Sequence, residues 1–222
     1  MLINQVDFFK TLYFNLKLFK LSVALKFPLI IGKKTKVELK RGDIILPDKI
    51  SLGLISFGIG GSSDLYYFES KRNYLGVKNG GTIIFKGKAH FAVHTSCYSA
   101  GGKIIFGEKF SSNVGCKFSS VKGIEFGNEC LLGGNVIIRD SDGHKVFDMY
   151  CKQERYHISE KEIKIGNHVW IGNQVSILKG VVINEGCIIG YGTILTKSIK
   201  ENNCLIGGVP GSVLRNNISW KR

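Results

Sequence analysis

I-K-I-G-N-H-V-W-I-G-N-Q-V-S-I-L-K-G-V-V-I-N-E-G-C-I-I-G-Y-G-T-I-L-T runs from Ile163 to Thr196. Isoleucine falls at 165, 171, 177, 183 and 189, six residues apart each time. Four places after each comes a small or β-branched residue: Val169, Val175, Val181, Cys187 and Thr193. Glycine directly follows the isoleucine at 166, 172 and 190. Six is neither the period of an α-helix nor the two-residue alternation of a strand.

A period of six is the signature of a parallel β-helix built from hexapeptides. Each hexapeptide supplies a short strand and a corner, and three of them make a triangular coil of about 18 residues. The repeated isoleucine points inward. Successive coils stack at the inter-strand spacing of about 4.8 Å, so the inward side chains form one apolar column. Each buried isoleucine contributes roughly 1.5–3 kcal/mol. Glycine suits the corners, where positive φ is needed.

Working outward, residues 82–139 hold the same repeat with phenylalanine replacing isoleucine, at Phe85, Phe91, Phe106 and Phe126, followed by Leu132 and Ile138. His90 and His94 lie four apart, which on a six-residue period puts them on different faces and makes a poor metal pair. Residues 28–81 open the solenoid less regularly. G-I-G-G at 58–61 reads as a corner, because no helical pattern follows it as a dinucleotide loop requires. Ser62 to Tyr74 departs from the repeat as a loop or a widened coil.

The chain of 222 residues suits one elongated domain, since solenoids grow by stacking. Lys and Arg total 31 against 17 Asp and Glu, a net charge of +14. Such a balance points to an anionic partner, yet no nucleic-acid motif accompanies it. Six cysteines without a C-x-x-C pair read as reduced thiols of a cytoplasmic protein. No run of 18 apolar residues and no signal-peptide pattern occurs.

Residues 4–27 lack glycine and carry Lys10, Lys17, Lys20 and Lys26 among Phe8, Leu12, Leu16 and Phe19, which share one helical face. This predicts a basic amphipathic helix ending before Pro28. Two roles fit it. One is a cap on the exposed strand edges at the solenoid end; the other is attachment to an anionic membrane surface.

After Ile138 comes R-D-S-D-G-H-K-V-F-D-M-Y-C-K-Q-E-R-Y-H-I-S-E-K-E, and the repeat resumes at Ile163. A solenoid accommodates such an insertion only by looping it out, and loops of this kind carry function.

The motifs N-H-V-W-I-G-N-Q-V-S-I-L-K-G-V-V-I at 167–183, I-I-G-Y-G-T-I-L-T-K at 188–197 and G-G-V-P-G-S-V-L-R at 207–215 resemble the hexapeptide acyltransferases. The sugar O-acetyltransferases of the maltose, galactoside and capsule or lipopolysaccharide type are the nearest. The resemblance is clear from about 103 to 216 and fainter toward the N-terminus. It implies a left-handed β-helix, a homotrimer, and acetyl-coenzyme A lying between subunits with its pantetheine arm on main-chain groups. The expected organisation is an N-terminal helix at 1–27 and a left-handed β-helix acyltransferase domain at 28–216, looped out at 139–162. A tail at 217–222 follows.

By the same resemblance D-S-D-G-H places His144 where the family has its catalytic histidine. The chemistry suits it: a sugar hydroxyl attacking a thioester must lose its proton, and an ordinary imidazole, of pKa about 6.5, can accept one near neutrality. A carboxylate on the other ring nitrogen would fix the tautomer. Asp142 and Asp140 are the local candidates. Asn113 matches an active-site asparagine of the galactoside type. Trp170, Asn173, Gly190, Tyr191, Thr196, Lys197 and Arg215 fall at donor-side positions, with the two cations suited to the nucleotide phosphates. Trp170 also stands toward the acceptor. Tyr191 departs from the usual alanine, and Ser212 stands where some relatives have arginine. No metal is required.

The expected activity is acetyl transfer from acetyl-coenzyme A to a sugar hydroxyl of a surface polysaccharide or its precursor. The acceptor is a glycan, chosen in part by Arg155, Tyr156 and His157. An N-acetyltransferase acting on a nucleotide-linked amino sugar would share the donor site and base. A silent solenoid scaffold would need neither D-S-D-G-H nor the Lys197/Arg215 pair. Serine acetyltransferase is disfavoured, because its long helical N-terminal domain is missing. The expected location is the cytoplasm or the inner face of its membrane.

Overall fold

The computed structural model describes residues 3–61, 72–144, 149 and 159–222. Among these, the chain winds as a three-sided prism of parallel strands. The first face stacks Leu29–Ile31, Ile55–Phe57, Ala89–Phe91, Phe110–Ser112, Leu131–Leu132, Trp170–Ile171, Ile188–Ile189 and Leu205–Gly208, closed by the antiparallel Gly211–Arg215. The second stacks Thr35–Glu38, Asn73–Lys78, Ser96–Ala100, Lys117–Ser120, Ile137–Arg139, Ser176–Leu178 and Ile194–Leu195. The third stacks Ile44–Ile45, Thr82–Phe85, Lys103–Phe106, Gly123–Phe126, Ile163–Ile165 and Val182–Ile183. The strand Asn73–Lys78 brings Asn73 and Tyr74 into the solenoid, although their sequence reads as part of a loop. Tyr74 fits there because it pairs with Lys36 below and Ser96 above while its hydroxyl donates to Glu38.

The six-residue column points inward as its period requires. Ile165, Ile171, Ile177, Ile183 and Ile189 are buried, and so are Val169, Val175, Val181, Cys187 and Thr193. Register couples residues one coil apart: Ile171 pairs with Ile189, Ile165 with Ile183, and Ile177 with Leu195. Lower down the column turns aromatic. Phe85, Phe106 and Phe126 stack 5.4 Å apart at each step, with planes within 17° and 9°. Phe91, Phe110 and Phe118 pack against the stack at steeper angles. Corners require left-handed backbone, but glycine does not monopolise it. Between first and second faces the positive-φ position is held in turn by His94, Gly115, Asn135, Gln174 and Gly192. The five cysteines within the described residues are buried free thiols; Cys151 lies outside them.

The N-terminal segment is two helices, Phe8–Leu18 and Leu21–Ala24, rather than one. Phe19 breaks the run by turning extended and burying its ring. The expected apolar face turns inward only in part: Phe19 is buried and Leu12 half-buried. Thr11, Phe14, Asn15 and Leu18 are buried, whereas Phe8 and Leu16 are exposed. The cause is the free edge of Leu29–Ile31, which has no strand on its outer side. Asn15 takes that strand's place: its Nδ2 donates to Leu29 O at 2.7 Å and its Oδ1 accepts from Leu29 N at 3.2 Å. Thr11 Oγ1 accepts from Ile31 N at 3.0 Å, and Asp7 N donates to Ile31 O at 2.9 Å. Polar side chains thus cap the solenoid end where orphaned amides would otherwise be buried.

Asn15→Ala removes this surrogate strand yet favours the helix itself. We expect it to lower the unfolding free energy by about 2–3 kcal/mol, read from urea denaturation followed by circular dichroism. A change within a few tenths of a kcal/mol would mean the edge is satisfied otherwise.

Candidate active site

The insertion at 139–162 leaves the prism where the second face turns into the third. Its root is closed by an antiparallel bridge between Ser141 and Glu160, with Asp142 N donating to Ser159 O at 2.8 Å. His144 and Asp142 stand exposed on the outgoing arm. Arg155, Tyr156 and His157 lie outside the described residues.

The two aspartates of D-S-D-G-H do different things. Asp140 is fully buried and points down into the preceding coil. Its carboxylate accepts from Ser120 Oγ at 2.8 Å, Val121 N at 2.9 Å, Lys122 N at 2.9 Å and Gly123 N at 2.6 Å. These donors come from the corner that a strand-to-strand hexapeptide turn leaves unpaired. Asp140 is therefore an anchor for the loop root. Asp142 instead pairs with Lys179 through Oδ2 and Nζ.

Lys179 carries no motif, but the register could have found it. Ile138 pairs with Ile177 and Ile177 with Leu195. Two residues on in each coil, Asp140, Lys179 and Lys197 stack in one column at this corner. Thr196 precedes Lys197 and is likewise exposed.

The other candidate residues gather at the corner between first and second faces. Ser112, Leu132, Ile171, Ile189 and Ile206 are register partners. The next position in each coil is Asn113, Gly133, Gly172, Gly190 and Gly207. Asn113 is half-buried, and its Oδ1 accepts from Val114 N at 2.8 Å. Asn173 Oδ1 accepts from Gly134 N at 2.7 Å, bracing the coil below. Tyr191 projects from the same corner, 67% exposed, between Gly190 and Gly192. A Cβ on Gly192 would meet nothing within 4 Å, so main chain is open to an approaching group there.

Trp170 faces outward from the first face and is 40% exposed. Beside it lies Trp220 of the C-terminal tail, with ring centroids 6.0 Å apart. Trp220 stacks on His168 at 4.2 Å and 7°, and its Nε1 donates to His168 O at 3.0 Å. The tail continues to Ser111, which accepts from Arg222 at 2.9 Å. No periodic signal in the sequence marks Trp220. Arg215 lies across the first face, paired with Leu205. It is therefore on a different side of the prism from Lys197.

One chain thus holds two groups apart. His144, Asp142, Lys179, Thr196 and Lys197 occupy the corner after the second face. Asn113, Asn173, Gly190 and Tyr191 occupy the corner before it. His90 belongs to neither: on the outer side of the first face, its Nδ1 lies 2.6 Å from Ser56 Oγ, and burial pushes its imidazole below the ordinary range. Among the described residues no three His, Cys, Asp or Glu side chains gather to hold a metal ion.

Comparison with known proteins agrees with this architecture. Residues 162–197 match the family of bacterial transferase hexapeptides (six repeats). The polysialic acid O-acetyltransferase of Escherichia coli O1:K1 / APEC is 37% identical over 123 residues. That match covers 55% of this chain and 39% of the relative, so the chain spans well under half of that relative's length. The crystal structure of the polySia-specific acetyltransferase NeuO superposes with a TM-score of 0.55 at 25% identity, covering 86% of this chain and 90% of that one. The solenoid is a left-handed parallel β-helix of hexapeptide repeats, and these relatives are named as acetyltransferases.

The division between the aspartates has a measurable consequence. Asp140→Ala strands three main-chain N–H groups and should cost about 3 kcal/mol of stability. Asp142→Ala breaks an exposed pair and should cost less than about 1 kcal/mol. Equal denaturation midpoints for the two variants would contradict the anchoring role.

Proposed function

We propose that this protein transfers the acetyl group of acetyl-coenzyme A to a hydroxyl of a sugar in a surface polysaccharide or its precursor. The observation that carries the reading is the rooted D-S-D-G-H loop. Asp140 fixes where the loop leaves the prism, and His144 stands exposed on the outgoing arm, four residues beyond the column of Asp140, Lys179 and Lys197. His144 accepts the proton of the acceptor hydroxyl as that oxygen bonds to the acetyl carbonyl carbon. It returns the proton to the departing sulfur as the carbon–sulfur bond breaks, so atoms and charge balance. Asp142 is the carboxylate that assists it, with Lys179 holding the loop in place. Asn113 and Trp170 line the acceptor side.

The donor's long arm suits the corner of Gly190, Tyr191 and Gly192, where main chain is open, with Asn173 bracing it. Thr196, Lys197 and Arg215 supply its polar and cationic contacts. The separation of the two corners supports a homotrimer, in which the His144 corner of one protomer meets the Asn113 corner of its neighbour. The same reading includes a cytoplasmic location with peripheral contact at the inner face of the membrane. Among the described residues no helix is long and apolar enough to cross one.

We expect His144→Ala to reduce turnover on a soluble oligosaccharide at least about 10²-fold, with coenzyme A binding by calorimetry changed only a few-fold. Turnover near the wild-type rate would remove His144 from the mechanism. Lys197→Ala and Arg215→Ala should weaken coenzyme A more than a pantetheine analogue without the nucleotide. Equal loss for both ligands would contradict phosphate contact.

A further inference from the structure

Capping the solenoid uses up one side of the N-terminal helix and leaves the other side apolar. Phe8 is 65% exposed, Phe9 83%, Tyr13 57%, Leu16 45%, Leu21 64% and Leu25 63%. On the first helix Phe8, Phe9, Tyr13 and Leu16 follow i, i+1, i+5 and i+8, a single outward stripe, and Leu21 and Leu25, at the start and the C-cap of the second, are exposed as well. Nothing in the chain's own core needs this stripe, because Thr11, Phe14, Asn15 and Leu18 already make the inward contact. An apolar arc of this breadth marks an interaction surface.

The charge around the arc says what covers it. Lys17, Lys20 and Lys26 are exposed along its border. Lys17 Nζ sits 5.7 Å from the Tyr13 ring centroid, at the edge of the aromatic patch. Residues 8–37 contain seven lysines and no aspartate or glutamate. A second copy of the same helices would bring lysine against lysine, and the nearest helical acid, Asp7, is already paired with Lys10 at 3.2 Å. An anionic bilayer neutralises the lysines, while its headgroup region accepts phenylalanine and tyrosine. We infer that this arc is a docking face for an anionic lipid surface.

The inference gives a structural basis to the peripheral contact proposed above and stands apart from the acetyl transfer. It also sets a height. Asp140 follows the fifth strand of the second face, four inter-strand steps from the first coil, or about 19 Å at ~4.8 Å per step. With the solenoid axis along the membrane normal, the His144 loop stands roughly 20 Å above the headgroups. An acceptor reached there is an extended lipid-borne glycan, several sugars out from its anchor.

The test is co-sedimentation of the full chain with phosphatidylglycerol/phosphatidylcholine vesicles and with phosphatidylcholine vesicles at low salt. We expect binding to the anionic vesicles alone, lost at high salt. The triple variants F8Q/F9Q/Y13Q and K17E/K20E/K26E alter only outward side chains. Each should reduce binding at least tenfold, with melting temperature, oligomeric state and turnover on a soluble acceptor unchanged. His144→Ala should sediment like the unmodified protein, so that loss of acetyl transfer and loss of docking are read separately. Failure of the unmodified protein to bind anionic vesicles would overturn the proposal. So would an aromatic variant whose oligomeric state changes while its vesicle binding does not, which would assign the arc to a second copy of the chain.

Discussion

The parallel main-chain ladder ties each coil of this protein only to the coil before it and the coil after it. Everything else follows from that. Inward residues must be apolar, because they sit in a column with no access to water, and they must be of similar bulk, because the coils are evenly spaced. Phenylalanine is taken up at 85, 106 and 126 as a run of stacked rings, and isoleucine serves in the upper coils. Extra chain can be admitted only at a corner, by leaving and returning at one level. The two ends, which have a neighbour on one side only, must be closed by something else.

The sequence is most informative where this constraint is strictest. The spacing from Ile165 to Ile189 announces the solenoid, and the interruption between Ile138 and Ile163 locates the insertion. Both are legible because a missed inward position would bury a polar group or open a void. The ends are less legible. The N-terminal helix reads as amphipathic, with Phe8, Leu12, Leu16 and Phe19 on one face. The strand edge competes for the same side of the helix, since two unsatisfied main-chain groups buried at Leu29 would cost as much, to within the spread of such values, as leaving Phe8 and Phe9 in solvent. Thr11 and Asn15 therefore turn inward. No pattern of hydrophobicity can show this, because the decisive contact is polar and lies between segments 14 residues apart.

The same competition sorts the residues of D-S-D-G-H. From sequence, Asp142 and Asp140, two and four residues from His144, are both candidate partners for it. Their difference lies in the neighbouring coils. Asp140 falls over the 120–123 corner, which offers it four donors, whereas Asp142 falls beneath Lys179. A one-dimensional reading sees two carboxylates near a histidine; the stacked coils see an anchor and an exposed acid. Placing the hexapeptides in register before weighing the motif would have separated them, since Asp140, Lys179 and Lys197 occupy the same position in successive coils.

Register also limits how a catalytic centre can be assembled on a prism. Residues stacked at one corner are fixed relative to each other by the strand spacing, and residues on different corners are fixed apart by the width of a face. No loop described here carries Asn113 or Tyr191 toward His144, because both belong to tight hexapeptide corners with main-chain bonds to the coils above and below. Bringing the two corners together by bending the solenoid would break the ladder that defines it. A second prism packed alongside achieves the same juxtaposition at no cost to either ladder. It is on this geometry that the proposed homotrimer rests.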